Sequence, residues 1–182
     1  RRLPTVRCVR PQQVLDVLHE FRPGLRVLLG STAPDAARKL SADLLDRVLG
    51  VALHQAEYVV LDIGCFFSWE QPPLALKSAG ANICVFTPGL LAMARAAQVA
   101  SMVDDEAHPL WVVLNRYQSS QVSPLAIESQ VGVSLRAHFP EEGEMLAGAL
   151  TKGVPLYVAD PKAPFSESMQ DLAERLHDFL TL

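Results

Sequence analysis

The chain has 182 residues, of which 49% are hydrophobic and 20% are charged, and its formal net charge is −4. This composition excludes a disordered protein, and the small negative charge gives no general attraction to nucleic acid or to an anionic membrane. Three widely spaced cysteines, Cys8, Cys65 and Cys84, exclude a disulfide framework and a CxxC-type zinc cluster, which favours a cytoplasmic protein.

The length suits one domain over residues 1–182, with a sizeable core. No apolar stretch approaches the roughly 18 to 20 residues of a membrane span, so we expect no direct membrane insertion and no signal peptide. The last helical pattern carries an apolar stripe, but its polar side is mostly acidic. We therefore expect this helix to dock on the core rather than on an anionic bilayer.

Short apolar runs alternate with longer segments in which apolar residues recur at helical spacing. Pro11 occupies a favoured first-turn position of a helix, and Ser41 is a typical N-cap. In chain order, the predicted elements are a helix from Pro11, a strand over residues 26–30, a helix after Ser41, a strand over 58–62, a helix over 74–79, a strand over 82–87, a helix over 90–103, a strand over 110–114, a helix over 124–130, a strand over 134–139, a helix over 141–152, a weaker strand over 156–158 and a helix over 167–180.

This alternation of apolar strands and helices is typical of one fold class. Strands buried on both faces read as continuous apolar runs, and each parallel connection needs a crossover that is usually a helix. The sequence therefore predicts an α/β protein with a predominantly parallel sheet and helices on both faces.

Polar and turn-forming residues follow the predicted strands, at the edge of a parallel sheet where ligands bind. Asp62 could hold the hydration shell of Mg²⁺ or orient a water, or it could cap a turn or a helix. Asn115 offers an amide that pairs with a purine edge, and Arg116 offers a guanidinium that stacks or pairs with phosphate. The full set of exit residues is Ser31, Thr32, Asp62, Gly64, Thr87, Pro88, Gly89, Asn115, Arg116, Tyr117, Pro140, Glu141 and Glu142.

Three segments resemble, in their order and spacing, those of a known family: AEYVVLDIG, ALKSAGANICVFTPGLLAMARAAQVA and LWVVLNRYQSSQVSPLAIESQVGVSLRAHFPEEGEMLAGALTKGVPL. They resemble the later two-thirds of the MinD/ParA superfamily of deviant Walker ATPases. Within it, the likeness is to the CpaE/TadZ branch, which localises assembly of type IV (Flp/Tad) pili. The resemblance extends over residues 25–176 and implies a SIMIBI P-loop NTPase-like fold whose N-terminal P-loop unit is missing.

The resemblance implies a metal-binding role for one carboxylate. It makes Asp62 the catalytic, Walker B-type aspartate, which contacts Mg²⁺ through water, and it makes Gly64 the start of the switch II segment. ATP and Mg²⁺ are therefore the expected cofactors.

The resemblance also implies a site for the base of the nucleotide. Asn115 and Arg116 would lie beside the adenine, and Pro140 and Glu141 would belong to the loop that closes over it. The helix over residues 90–103 would flank the interface of a homodimer. The expected function is an ATP-binding protein that localises pilus or secretion machinery, with assembly proteins as partners and recruitment to a polar or membrane-associated complex.

The sequence contains no phosphate-binding loop of the form GxxxxGK[ST], because none of its lysines follows a glycine. Two interpretations stay open: a fragment of a longer protein, in which case ATP hydrolysis needs an upstream P-loop, or a divergent relative that lost the nucleotide-binding half. In either case the sheet would lack central strands, and its apolar edges would need cover from another segment or subunit.

The alternative from another functional class is a non-catalytic scaffold, a pseudo-ATPase that keeps the fold without hydrolysing nucleotide. The missing P-loop favours it, and so does the bulky run CFFSW after Gly64, where the family has a switch loop. A metabolic P-loop relative, such as a CobQ-type amidotransferase or synthetase, would need substrate-binding residues that the sequence does not show.

Overall fold

The computed structural model describes residues 10–30, 41–64, 76–103, 108–119 and 122–182. The chain divides into two compact units, Arg1–Ala75 and Leu76–Leu182. The assignment of residues 1–182 to one domain stays a prediction. The predicted exit residues Ser31 and Thr32, and the run CFFSW, lie outside the described residues.

The first unit contains a short helix, a hairpin and a longer helix. These elements are α1 (Pro11–Leu15), β1 (His19–Arg22), β2 (Leu25–Val27) and α2 (Ala42–Leu53). The antiparallel β1–β2 hairpin turns at Pro23 and Gly24, and Gly24 has a φ of 82°, which glycine adopts without steric cost. The strand predicted over residues 26–30 corresponds to β2, which begins one residue earlier, at Leu25, and already ends at Val27.

Helix α2 begins as its sequence predicts. Ser41 lies in the extended N-cap conformation, and its Oγ accepts a hydrogen bond from Leu44 N at 3.2 Å. One of the first-turn N–H groups that lack a helical partner is thus satisfied. Val48 is buried against Val14 of α1, and these contacts form the core of this unit.

The second unit is a parallel three-stranded sheet in the order β3-β4-β5, surrounded by helices. Its elements are β3 (Asn82–Phe86), α3 (Leu90–Val103), β4 (Leu110–Tyr117), α4 (Pro124–Val131), β5 (Leu135–Pro140), α5 (Gly143–Thr151), α6 (Leu156–Ala159) and α7 (Pro164–Thr181). The predicted strands over 82–87, 110–114 and 134–139 are confirmed, although β4 continues to Tyr117.

Helices cover both faces of this sheet, as predicted. On one face, Val112 and Leu114 pack against Met93 of α3 and Ile127 of α4. On the opposite face, the core consists of Trp111, Val113 and Phe139 of the strands and Leu172 of α7. The α/β fold class is therefore confirmed, and the last helix docks on the core. Within the described residues, no helix combines the length and the apolarity that crossing a bilayer requires.

The predicted strand over residues 156–158 is wrong, because this segment is helix α6. Asp160 N donates to Leu156 O at 2.7 Å, and Leu156 is buried beside Ala149 and Ala163. A single buried side chain, rather than an alternating pattern, fixes the segment in place. A short apolar run does not distinguish a strand from a short helix that packs through one buried side chain.

The predicted strand over residues 58–62 is also wrong, because residues 58–64 are described without strand structure. Val60 is 91% exposed and Tyr58 is 43% exposed. Among the described residues, no strand pairs with this segment, so its backbone has no ladder to join. An apolar run forms a buried strand only where a neighbouring strand can pair with it, so composition alone was not sufficient here.

Candidate functional site

The carboxyl end of β4 is irregular at the two residues that the sequence singles out. Leu114 lies opposite His138 and Tyr117 lies opposite Pro140, so Asn115 and Arg116 together face a single residue of β5. This extra residue is a β-bulge, a feature that re-aims side chains and is frequent beside functional sites.

Arg116 has a φ of 58°, in the left-handed region that side chains with a Cβ rarely adopt. Its backbone N–H donates to Asn115 Oδ1 at 2.9 Å, and this local bond supports the conformation. Such strain persists where surrounding contacts determine the backbone, and it is concentrated at functional sites.

The bulge turns Arg116 towards the end of the neighbouring strand. Arg116 Nε donates to Glu141 Oε2 at 2.6 Å, and Glu141 N donates to Tyr117 O at 3.0 Å. The Arg116 side chain is 64% exposed, whereas the Glu141 side chain is only 23% exposed. Four predicted residues, Asn115, Arg116, Pro140 and Glu141, are thus brought together at one edge of the sheet.

Some side-chain donors of this cluster have no partner among the residues that the structure describes. Within the described residues, Asn115 Nδ2 donates no hydrogen bond, and the terminal nitrogens of Arg116 make none either. An asparagine amide pairs with the N6 and N7 positions of adenine, and a guanidinium pairs with phosphate or stacks on a ring. The edge therefore suits a ligand that is rich in acceptors, as a nucleotide is.

Glu142 is a residue whose contact the sequence does not predict. Its Oε2 accepts from Phe165 N, at the start of α7, at 3.1 Å. The two residues are 23 positions apart, so no local pattern reveals the contact. Gly143 follows, and a Cβ at that position would lie 3.0 Å from Glu141 Oε1, so the glycine leaves room for the carboxylate.

Asp62 belongs to the other compact unit. Its Oδ1 accepts a hydrogen bond from Gly64 N at 2.9 Å, the geometry of a carboxylate closing a local turn. Gly64 has a φ of 65°, which favours glycine there. The turn-cap role considered for Asp62 is therefore observed, whereas its role at a magnesium ion stays a prediction.

The described residues offer few ligands for Mg²⁺. Within the described residues, no three His, Cys, Asp or Glu side chains form a group that could hold a metal. Mg²⁺ often keeps several waters and needs only one or two carboxylates beside the phosphates of its nucleotide. Asp62 has oxygen lone pairs left after its bond to Gly64, so its chemistry fits that limited role.

Comparison with known proteins shows similarity in structure and not in sequence. No protein-family model matches the chain, and no curated protein sequence matches it. The chain is similar to the ParA family ATPase from Chlorobium tepidum TLS, with a TM-score of 0.80 and 19% identity, over 90% of this chain and 69% of that one.

Two archaeal structures are also similar. The Pyrococcus furiosus cell division ATPase MinD gives a TM-score of 0.72 at 20% identity, over 91% of this chain and 70% of that chain. The septum site-determining protein MinD from Pyrococcus horikoshii OT3, solved with Mg-ADP, gives 0.71 at 18% identity, over 90% of this chain and 68% of that chain. The chain therefore has the α/β fold of the ParA and MinD ATPases.

Proposed function

We propose that the protein binds ATP, with the base at the carboxyl edge of the β3-β4-β5 sheet. The observation that carries this proposal is the convergence of Asn115, Arg116, Pro140 and Glu141 at the bulged end of β4, where some side-chain donors bond to no described residue. Ligands of open α/β sheets bind outside the carboxyl ends of the strands. The similar structure of a MinD with Mg-ADP supports a nucleotide as that ligand.

In this proposal Asp62 contacts Mg²⁺ through water, as the Walker B-type aspartate of the fold. These 182 residues contain no phosphate-binding loop of the form GxxxxGK[ST], because none of their lysines follows a glycine. The chemistry supplied here is recognition of the base and a carboxylate for the metal. ATP hydrolysis would require phosphate contacts in addition.

The proposed biological role is that of a CpaE/TadZ-like positioning protein, a homodimer that localises pilus or secretion machinery. It is supported by the order and spacing of the sequence segments that resemble that branch. A MinD from Aquifex aeolicus, solved in complex with MinC, is similar to this chain, with a TM-score of 0.63 at 20% identity. The match covers 76% of this chain and 60% of that chain.

A non-catalytic scaffold is the second candidate, and one observation favours it. Residues 58–64, which hold Asp62, have no strand structure, and Val60 is 91% exposed. An aspartate that acts at a metal needs a fixed position, which a neighbouring strand would provide.

Calorimetry with MgATP on the full-length gene product distinguishes the two candidates. We expect binding to the wild type, and binding about 5- to 150-fold weaker for Asn115→Ala, because a bidentate amide–adenine pair contributes about 1–3 kcal/mol. Asp62→Ala should weaken binding only when Mg²⁺ is present.

Asp43→Ala is the matched control for Asp62→Ala, because Asp43 is an exposed carboxylate that pairs with Arg47 within α2. It should bind MgATP as the wild type does. No binding of MgATP to the wild type would contradict the proposed function and favour the scaffold.

A further inference from the structure

Helix α7 begins without a capping side chain of its own. Its N-cap residue is Ala163, which has no side-chain acceptor, and Pro164 at the first helical position has no N–H. The amide of Phe165 is the first donor of the helix that needs a partner. The carboxylate of Glu142 supplies that partner at 3.1 Å, and its negative charge suits the positive end of the helix dipole.

Glu142 is at the same time the N-cap residue of α5, directly after Pro140 and Glu141 of the proposed base site. Its side chain makes no cap bond to α5 itself, so it is committed to α7. Two adjacent glutamates therefore have different partners: Glu141 pairs with Arg116 at the end of β4, and Glu142 caps a helix from elsewhere in the sequence.

The start of α7 is fixed by packing as well. The rings of Phe165 and Phe139 lie 5.1 Å apart, and Ser166, which is fully buried, donates from Oγ to Asp160 O at 2.7 Å. Movement of residues 140–142 would thus be transmitted directly to the first turn of α7.

On these contacts, and resting on the proposed binding of ATP at this edge, we propose that Glu142 is a positioning residue. It links the proposed base site at Pro140 and Glu141 to the first turn of α7, so that binding of the base and docking of α7 are coupled. Because coupling between two events is reciprocal, ATP strengthens the cap of α7, and the cap in turn strengthens ATP binding.

The amide of Phe165 provides a direct readout of this coupling. First-turn amides of a helix have no helical acceptor and exchange quickly unless a cap protects them. Hydrogen exchange at the Phe165 amide therefore reports the Glu142 bond itself. In the wild-type full-length gene product, we expect saturating MgATP to slow exchange at this amide several-fold.

Three variants separate coupling from a purely structural cap. Glu142→Ala should weaken ATP binding about three- to tenfold and abolish the effect of ATP on Phe165 exchange, since loss of a cap has effects of this order. Glu142→Gln keeps a carbonyl acceptor and should retain most of both. Glu144 is an exposed acidic residue in the first turn of α5, and Glu144→Ala should behave as the wild type.

The outcomes are distinct. If the wild type binds ATP but Phe165 exchange does not respond, or if Glu142→Ala lowers the melting temperature while its ATP affinity equals that of the wild type, the coupling is overturned and ATP binding stands. If the wild type binds no ATP, the proposed function falls and the coupling falls with it.

Discussion

Arg116 at the end of β4 and Glu141, directly after β5, form an ion pair in which Nε lies 2.6 Å from Oε2. The pair joins two neighbouring parallel strands at the edge where ligands of such sheets bind. It depends on a β-bulge in β4 and on a left-handed backbone at Arg116. The candidate site and a local source of strain therefore coincide at the same residue.

Replacing Arg116 separates the strain from the ion pair. Arg116→Ala loses the pair and keeps a Cβ at a φ of 58°, whereas Arg116→Gly loses the pair and relieves the strain. A left-handed residue with a Cβ costs about 1–2 kcal/mol, and a largely exposed ion pair contributes less than about 1 kcal/mol. In urea unfolding we expect the glycine variant to be more stable than the alanine variant by about 1 kcal/mol. Equal stabilities would argue against strain at this position.

The core between the sheet and α4 should be sensitive to truncation. Ile127 is fully buried, whereas Leu125, two residues earlier on the same helix, is 77% exposed. Ile127→Ala should lower the free energy of unfolding by about 2–5 kcal/mol, because it removes buried apolar atoms and leaves a cavity. Leu125→Ala should change it by less than about 0.5 kcal/mol. Urea denaturation of both variants tests the assignment of the core face.

Strand β3 pairs only with β4 among the described residues, and its apolar side chains Ile83 and Val85 are 43% and 58% exposed. An uncharged edge strand is a template for pairing with another chain, and a lysine on the edge opposes such pairing. We expect Val85→Lys to reduce concentration-dependent association, measured by light scattering. Leu125→Lys adds the same charge on an exposed helix position and should have a smaller effect. Equal effects of the two variants would point to net charge rather than to the edge.

The thiol of Cys84 is expected to react slowly. Burial raises the pKa of this thiol, because the thiolate loses its hydration, and the thiolate is the form that reacts. In a Cys8→Ser, Cys65→Ser protein, labelling with a thiol reagent at pH 8 should be slower than in urea. The pKa of this thiol is higher in the folded protein than in the unfolded protein. The stability that the thiol contributes should therefore be fully present at neutral pH and be lost as the pH rises through the folded pKa. Equal labelling rates in the folded and unfolded protein would contradict this prediction.

The sequence by itself determined the elements whose signals are local. Helix α3 has its predicted bounds, Ser41 caps α2 as predicted, and the central apolar runs became β3, β4 and β5. The alternation of strands and helices was enough to predict a parallel sheet with both faces covered. A continuous apolar run indicates a strand buried on both faces, and an apolar stripe indicates the helix face that packs against the sheet. The likeness in order and spacing also predicted the fold that the MinD and ParA structures share.

Only the tertiary structure decided how those elements meet. Residues 58–62 had the composition of a strand but lack a pairing partner among the described residues, and residues 156–158 became helical around one buried leucine. The sequence predicted Asn115 and Glu141 as site residues, but it predicted neither the bulge nor the Glu142–Phe165 bond. Strand register and a helix cap supplied from elsewhere in the chain depend on distances between residues far apart in sequence, and these distances exist only once the chain has packed.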